Sequence, residues 1–153
     1  MEYVIGLLTN PFLLVGLGSW FVAQVAKTII HAIINGAVDW ERMFGDGGMP
    51  SGHSATVSSL AMMSALVYGL DSFEFAVTAI LAVIVCHDAM GVRLETGKQA
   101  LIINEIVKSF EILAKKELPE VKLKEFVGHT PAQVMVGITI GIVSAIVFFL
   151  LMY

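Results

Sequence analysis

Four stretches of this sequence, at about residues 11–35, 54–70, 73–91 and 131–153, are long and almost wholly apolar. About 20 such residues are what an α-helix needs to cross the ~30 Å hydrocarbon core of a bilayer. Inside that core no water is at hand for the backbone, so a spanning segment must bond to itself as a helix. The expected fold is therefore all-α: a polytopic membrane bundle of about four transmembrane helices in a single domain, residues 1–153. Composition agrees, since 57% hydrophobic and 14% charged residues are too apolar a mix for a soluble domain of this length. The first run follows acidic Glu2 rather than a basic stretch and exceeds a signal-peptide core, so it reads as a span. Cys86 is the single cysteine and lies within an apolar run, which leaves no intramolecular disulfide to form. The formal charge of −4 argues against nucleic acid as a partner, which calls for a basic excess.

The connections carry the polar residues. Tyr3 to Thr9 are too few to span, and read equally as an interfacial segment or a half-helix. Leu70-Asp71-Ser72 makes a short turn between the second and third runs, and Pro131 after Thr130 starts the fourth in a favourable first helical position. Between the third and fourth runs, about residues 97–118, Leu101, Ile102, Val107, Phe110, Leu113 and Leu118 interleave with Lys98, Glu105, Lys108, Glu111, Lys115 and Lys116 at roughly helical spacing. That pattern predicts one amphipathic helix, lying in the membrane surface or packed on the bundle or on a second copy. Four alternating spans put the end of the first, the start of the second, the end of the third and the start of the fourth on one side. All nine Lys and Arg residues fall on that side or within reach of it, while the other side holds Asp71 and Glu74. The positive-inside rule then makes the loaded side cytoplasmic and the protein a multi-pass inner-membrane one.

Several polar residues stand where burial is expensive. Gln24, Lys27 and His31 fall on one stripe of the first helix, and an ionisable side chain in a span normally faces a partner or a wet cavity. Lys27 either pairs with an acid such as Asp88 or presents a cation to an anion site inside the bundle. His87, Asp88 and Arg93 cluster at the end of the third run. Arg93 there is either a snorkelling flank or an anion ligand, and His87 reads as a cap. Ser51-Gly52-His53 precedes the second run and Gly128-His129-Thr130 the fourth, so each histidine lies at a helix N-terminus, where unpaired N–H groups favour anions. Gly137 and Gly141 form a G-x-x-x-G face, the mark of close helix packing.

Three motifs, GGMPSGHSA, HDAMGVRLETGKQA and GHTPAQVMVG, in this order and in a chain of this size, resemble the divergent branch of the type 2 phosphatidic acid phosphatase superfamily, whose relatives include acid phosphatases and vanadium haloperoxidases. The resemblance covers nearly the whole chain. It implies a phosphatase needing no metal and no cofactor. It implies His129 as the nucleophile that forms a phosphohistidine, and His53 as the acid that protonates the departing alkoxide. Lys27, Arg42 and Arg93, with the Ser51 hydroxyl and the Gly52 amide, are implied as phosphate ligands. Such a site works by positioning and by neutralising charge on the transferring group.

The sequence departs from the pattern in three places. Lys27 and Arg42 stand further apart than in the first signature, and Met43 follows where proline is usual. Arg93 and His129 are separated by the amphipathic segment. Gln133 replaces the aspartate usual four residues after the nucleophile, and an amide holds a tautomer without neutralising an imidazolium. Either Asp88 supplies that charge, or catalysis is slow or absent.

The resulting expectation is a membrane phosphatase acting on a lipid phosphomonoester or pyrophosphate, with the bundle walls taking the tails and the lipid bilayer as surroundings. A homodimer is a candidate arrangement, through the glycine face or the amphipathic helix. The alternatives are a non-catalytic lipid-phosphate binder, motivated by Gln133, and a small transporter, motivated by the stripe of Gln24, Lys27 and His31.

Overall fold

The structure, a computed structural model, describes residues 1–37, 47–114, 123 and 128–153. Among the described residues it holds six helices and no strand: α1 (Glu2–Leu8), α2 (Pro11–Asn35), α3 (Gly52–Tyr68), α4 (Phe73–Met90), α5 (Val92–Ala114) and α6 (Pro131–Met152). Arg42 lies outside the described residues, as does the end of the expected amphipathic segment beyond Ala114.

Helix ends follow local chemistry. Asn10 accepts from the amides of Phe12 and Leu13 and Pro11 occupies the first helical position, so α2 starts there. Ser51 and Ser72 cap α3 and α4 through their hydroxyls. Thr130 and Gln133 form a reciprocal capping box on α6. Gly36 ends α2 in the left-handed conformation, at φ 71°. Residues 2–8 form the short, wholly exposed helix α1.

The chain folds as a helical membrane bundle. Three stretches are long and apolar enough to cross a membrane: Pro11–Asn35, a run from Phe73 through α4 into α5, and Pro131–Met152. With 17 residues, α3 is about 25 Å long and falls at the short end of the spanning range. It is also the hub, in contact with α2, α4 and α6. A helix so enclosed need not be oily, and α3 buries Ser54, Ser58, Ser59 and Ser64. The oil faces outward instead, with Ile80, Val83 and Ile84 of α4 and Val147, Leu150 and Leu151 of α6 exposed, as lipid-facing side chains are.

Between the helices, packing is close and several buried hydroxyls find partners. A Cβ on Gly137 would collide with the Ser51 carbonyl, and one on Gly141 with the Ala55 carbonyl. The glycine face expected to pack helices therefore seats α6 on α3, and it is used up within the chain rather than left for a second copy. Ser19 of α2 shares a 2.8 Å hydrogen bond with Ser59 of α3 and donates to the carbonyls of Gly16 and Ala55. Such side-chain bonds hold helices together where hydrophobicity cannot distinguish neighbour from lipid. Val15, Met63 and Ala145 close one end of the interior, and Val57, Cys86, Ala89 and Val134 the other.

One junction differs from expectation. The amphipathic helix starts at Val92, directly after the single residue Gly91, and not near residue 97. Arg93 therefore belongs to the first turn of α5, not to the end of a span.

Candidate functional site

Helix ends from across the sequence meet at one level. The Ser51 amide donates to the Gln133 carbonyl at 3.1 Å, joining the start of α3 to the start of α6. The His129 amide donates to the Ala89 carbonyl at 3.0 Å, joining the turn before α6 to the end of α4. Gly128, at φ 100°, lies so near the Arg93–Leu94 peptide that a Cβ would stand 2.6 Å from the Arg93 carbonyl carbon. The amphipathic helix thus does not keep Arg93 from the His129 turn. Asn104 steadies the returning chain: its Nδ2 donates to the Leu123 carbonyl at 2.9 Å while its Oδ1 accepts the Leu123 amide at 3.1 Å.

His53, in the first turn of α3, and His129, just ahead of α6, come together with ring centroids 6.5 Å apart in an edge-to-face arrangement. His129 is buried and His53 exposed, so one imidazole sits inside and the other at the surface. Both stand at helix N-termini, where first-turn amides point outward with the positive end of the helix dipole. Gly52, the first residue of α3, lies under Trp20: an added Cβ would be 3.2 Å from Trp20 Cδ1 and 3.8 Å from Gln24 Cδ. The residue there must be small for the helix end to approach α2.

Lys27 is buried on the same stripe of α2 as Gln24, and its stem lies beside Gly48, where a Cβ would be 3.7 Å from its Cγ and Cδ. Gly47 and Gly48 take φ of 79° and 80°, and the turn they begin runs through a cis Met49–Pro50 bond into Ser51. Gln24 Oε1 and His31 Nδ1 are buried without a hydrogen-bond partner among the described residues.

Other expected residues are placed differently. The fully buried Ser51 hydroxyl accepts from the Ser54 amide at 3.3 Å and from the Ser54 hydroxyl at 2.9 Å, so in this geometry it serves as a helix cap. Arg93 Nε donates to Asp88 Oδ2 at 2.8 Å, with both side chains nearly half exposed. Asp88 is thus engaged with Arg93, neither with Lys27 nor with an imidazole. Gln133 Oε1 accepts the Thr130 amide at 3.0 Å, which commits the amide oxygen to the capping box. Trp20 was not anticipated as part of this site, although it stands one turn before Gln24 on the same stripe.

Beside Lys27 a cavity of about 240 Å³ opens, walled by Ile30, His31, Ile34 and Asn35 of α2, by Gly47–Met49, and by Gln133 of α6.

Comparison with known proteins gives the arrangement a setting. A profile of the Divergent PAP2 family matches residues 8–144. The chain is similar to YuiD, an uncharacterized membrane protein of Bacillus subtilis strain 168, with 44% identity over 151 residues, 92% of this chain and 95% of that relative. No solved structure matches.

Proposed function

The chain belongs to the Divergent PAP2 family, and from that membership and the paired histidines we propose a membrane-embedded phosphatase that hydrolyses a lipid phosphomonoester or pyrophosphate without a metal. The observation that carries the reading is the 6.5 Å separation of the His53 and His129 rings between two helix N-termini. A reacting phosphorus stands about 3–3.5 Å from its nucleophile, and a general acid about 2.6–3.2 Å from the atom it protonates. Two imidazoles at this spacing leave a gap of the right order for a phosphoryl group between them.

The chemistry then runs in two steps. His129 attacks phosphorus, the P–N bond forms as the bond to the leaving oxygen breaks, and His53 gives its proton to the departing alkoxide. Water next attacks the phosphohistidine and gives a proton to His53, and phosphate leaves with His129 restored. Lys27 and Arg93, with Arg42, offset charge on the non-bridging oxygens, and the Gly52 amide adds a donor from the α3 terminus. Arg93 exchanges Asp88 for phosphate when substrate arrives. The positive-inside rule, applied to the basic residues around this level, opens the site to the cytoplasm.

A second reading, a lipid-phosphate binder without turnover, is favoured by one observation. Both residues expected to support the His129 imidazole, Gln133 and Asp88, have their hydrogen bonds elsewhere. Phosphate release from a panel of lipid phosphates, by detergent-purified protein with EDTA present, separates the two. Release by the wild type that is lost in His129→Ala supports the phosphatase, and equal release by both proteins refutes the assigned nucleophile. Binding with no release, and no acid-labile phosphoprotein, favours the binder.

A further inference from the structure

The route by which an apolar chain could reach the histidine pair is constrained by packing. Between α3 and α6 there is no room, because Gly137 and Gly141 bring the two backbones together and Met63 and Val134 are at most 1% exposed. Beside α2 the situation differs. α3 starts level with Trp20 and Gln24 and ends where Tyr68 stacks on Phe12, so the two helices are antiparallel. The stretch of α2 from Val25 to Asn35, ~16 Å long at 1.5 Å per residue, runs on past the start of α3. This overhang forms one wall of the cavity beside Lys27.

The overhang is as oily as the rest of this candidate span. Ile33 and Ile34 are 77% and 75% exposed, and Ile34 lines the cavity together with Ile30. Its volume is below the ~300–1,000 Å³ of pockets that hold a whole small ligand, so it accommodates only part of a larger molecule. A buried cation at one end, a lining whose exposed surface is mostly apolar although His31, Asn35 and Gln133 contribute to it, and an oily rim together match an anion with a hydrocarbon tail, and not a free anion, which gains nothing from Ile30 or Ile34.

We propose that this cavity seats the first segment of an apolar chain attached to the phosphate, with Ile30 and Ile34 selecting lipid phosphates over water-soluble ones. The proposal rests on the phosphate site of the preceding section. It places the chain outside the bundle, along α2, where the sequence led us to expect the bundle walls to hold it.

The test uses the full chain in detergent, with short-chain phosphatidate and orthovanadate as probes and native mass spectrometry plus vanadate competition as readouts. Ile30→Trp fills the cavity. Ile34→Asp charges its rim from a 75% exposed position at the end of α2, and it decides the matter alone if the tryptophan variant fails to fold. The expected result is a fall in phosphatidate retention of about tenfold or more, the scale at which apolar pockets discriminate, with vanadate binding unchanged. Phosphatidate retention at the wild-type level in the variants, with vanadate still bound, overturns the chain seat and leaves the phosphate site standing. Failure of the wild type to bind either probe overturns the phosphate site and the chain seat with it.

Discussion

The rings of His53 and His129 meet edge to face, at 80° between planes and 6.5 Å between centroids, although they come from helices far apart in the sequence. On the proposed reading, the two rings have unequal work. His129 is buried and its amide is tied to the end of α4, whereas His53 stands exposed in the first turn of α3. A fixed imidazole suits attack on phosphorus, and an accessible one suits proton exchange with water.

That division predicts a dependence on the leaving group. His53→Ala is expected to slow hydrolysis of an alkyl phosphate by about 10²–10⁴, the usual worth of general acid catalysis. With p-nitrophenyl phosphate, whose phenolate departs unprotonated, the loss is expected to be much smaller. Steady-state rates on the two substrates decide it, and equal losses would remove His53 from the acid role.

Asp88 is the second case. Because it holds Arg93, Asp88→Asn is expected to keep turnover and lower KM for the phosphate substrate, while Arg93→Ala raises KM. Collapse of kcat in Asp88→Asn would instead make Asp88 the counter-charge of the histidine pair. Steady-state analysis of both variants distinguishes these outcomes.

Gly128 is predicted to be intolerant of any side chain. Its positive φ and its closeness to the Arg93–Leu94 backbone mean that Gly128→Ala must displace the turn that carries His129. A stability loss of about 1–3 kcal/mol, typical of overpacking, is expected in thermal unfolding, together with reduced phosphate release. Gly18→Ala, a helical position with nothing within 4 Å, is expected to be neutral or slightly stabilising.

The shared hydroxyls of Ser19 and Ser59 invite a double-mutant cycle. Each alanine substitution is expected to destabilise modestly, with a coupling of about 0.6 kcal/mol and no more than ~1.7, the range for such bonds in membrane bundles. Unfolding in mixed micelles measures it, and zero coupling would mean that the helices are held by shape alone.

Features set by neighbouring residues were legible from the sequence. Pro11, Ser72 and the Thr130–Pro131 pair mark helix starts through capping chemistry that needs no tertiary structure, and Gly137 and Gly141 announced a packing face by their spacing alone. What the sequence hid depends on partners distant in the chain or on one backbone turn. The break at Gly91 moves Arg93 onto α5 and lets it fold back on Asp88, a choice that periodicity does not encode. Gln133 takes the position of the family's aspartate four residues after His129, yet its oxygen satisfies the Thr130 amide. The contact of Trp20 with the start of α3 joins residues 32 positions apart, which no local pattern announces.

The glycine seam between α3 and α6 carries no charge. Debye screening therefore has little to act on where α3 and α6 join, and on the proposed function adding salt is expected to weaken capture of a phosphate headgroup without loosening that seam. Ionic strength thus becomes a dial for the chemistry alone, letting electrostatic recognition be titrated in a protein whose architecture stays constant.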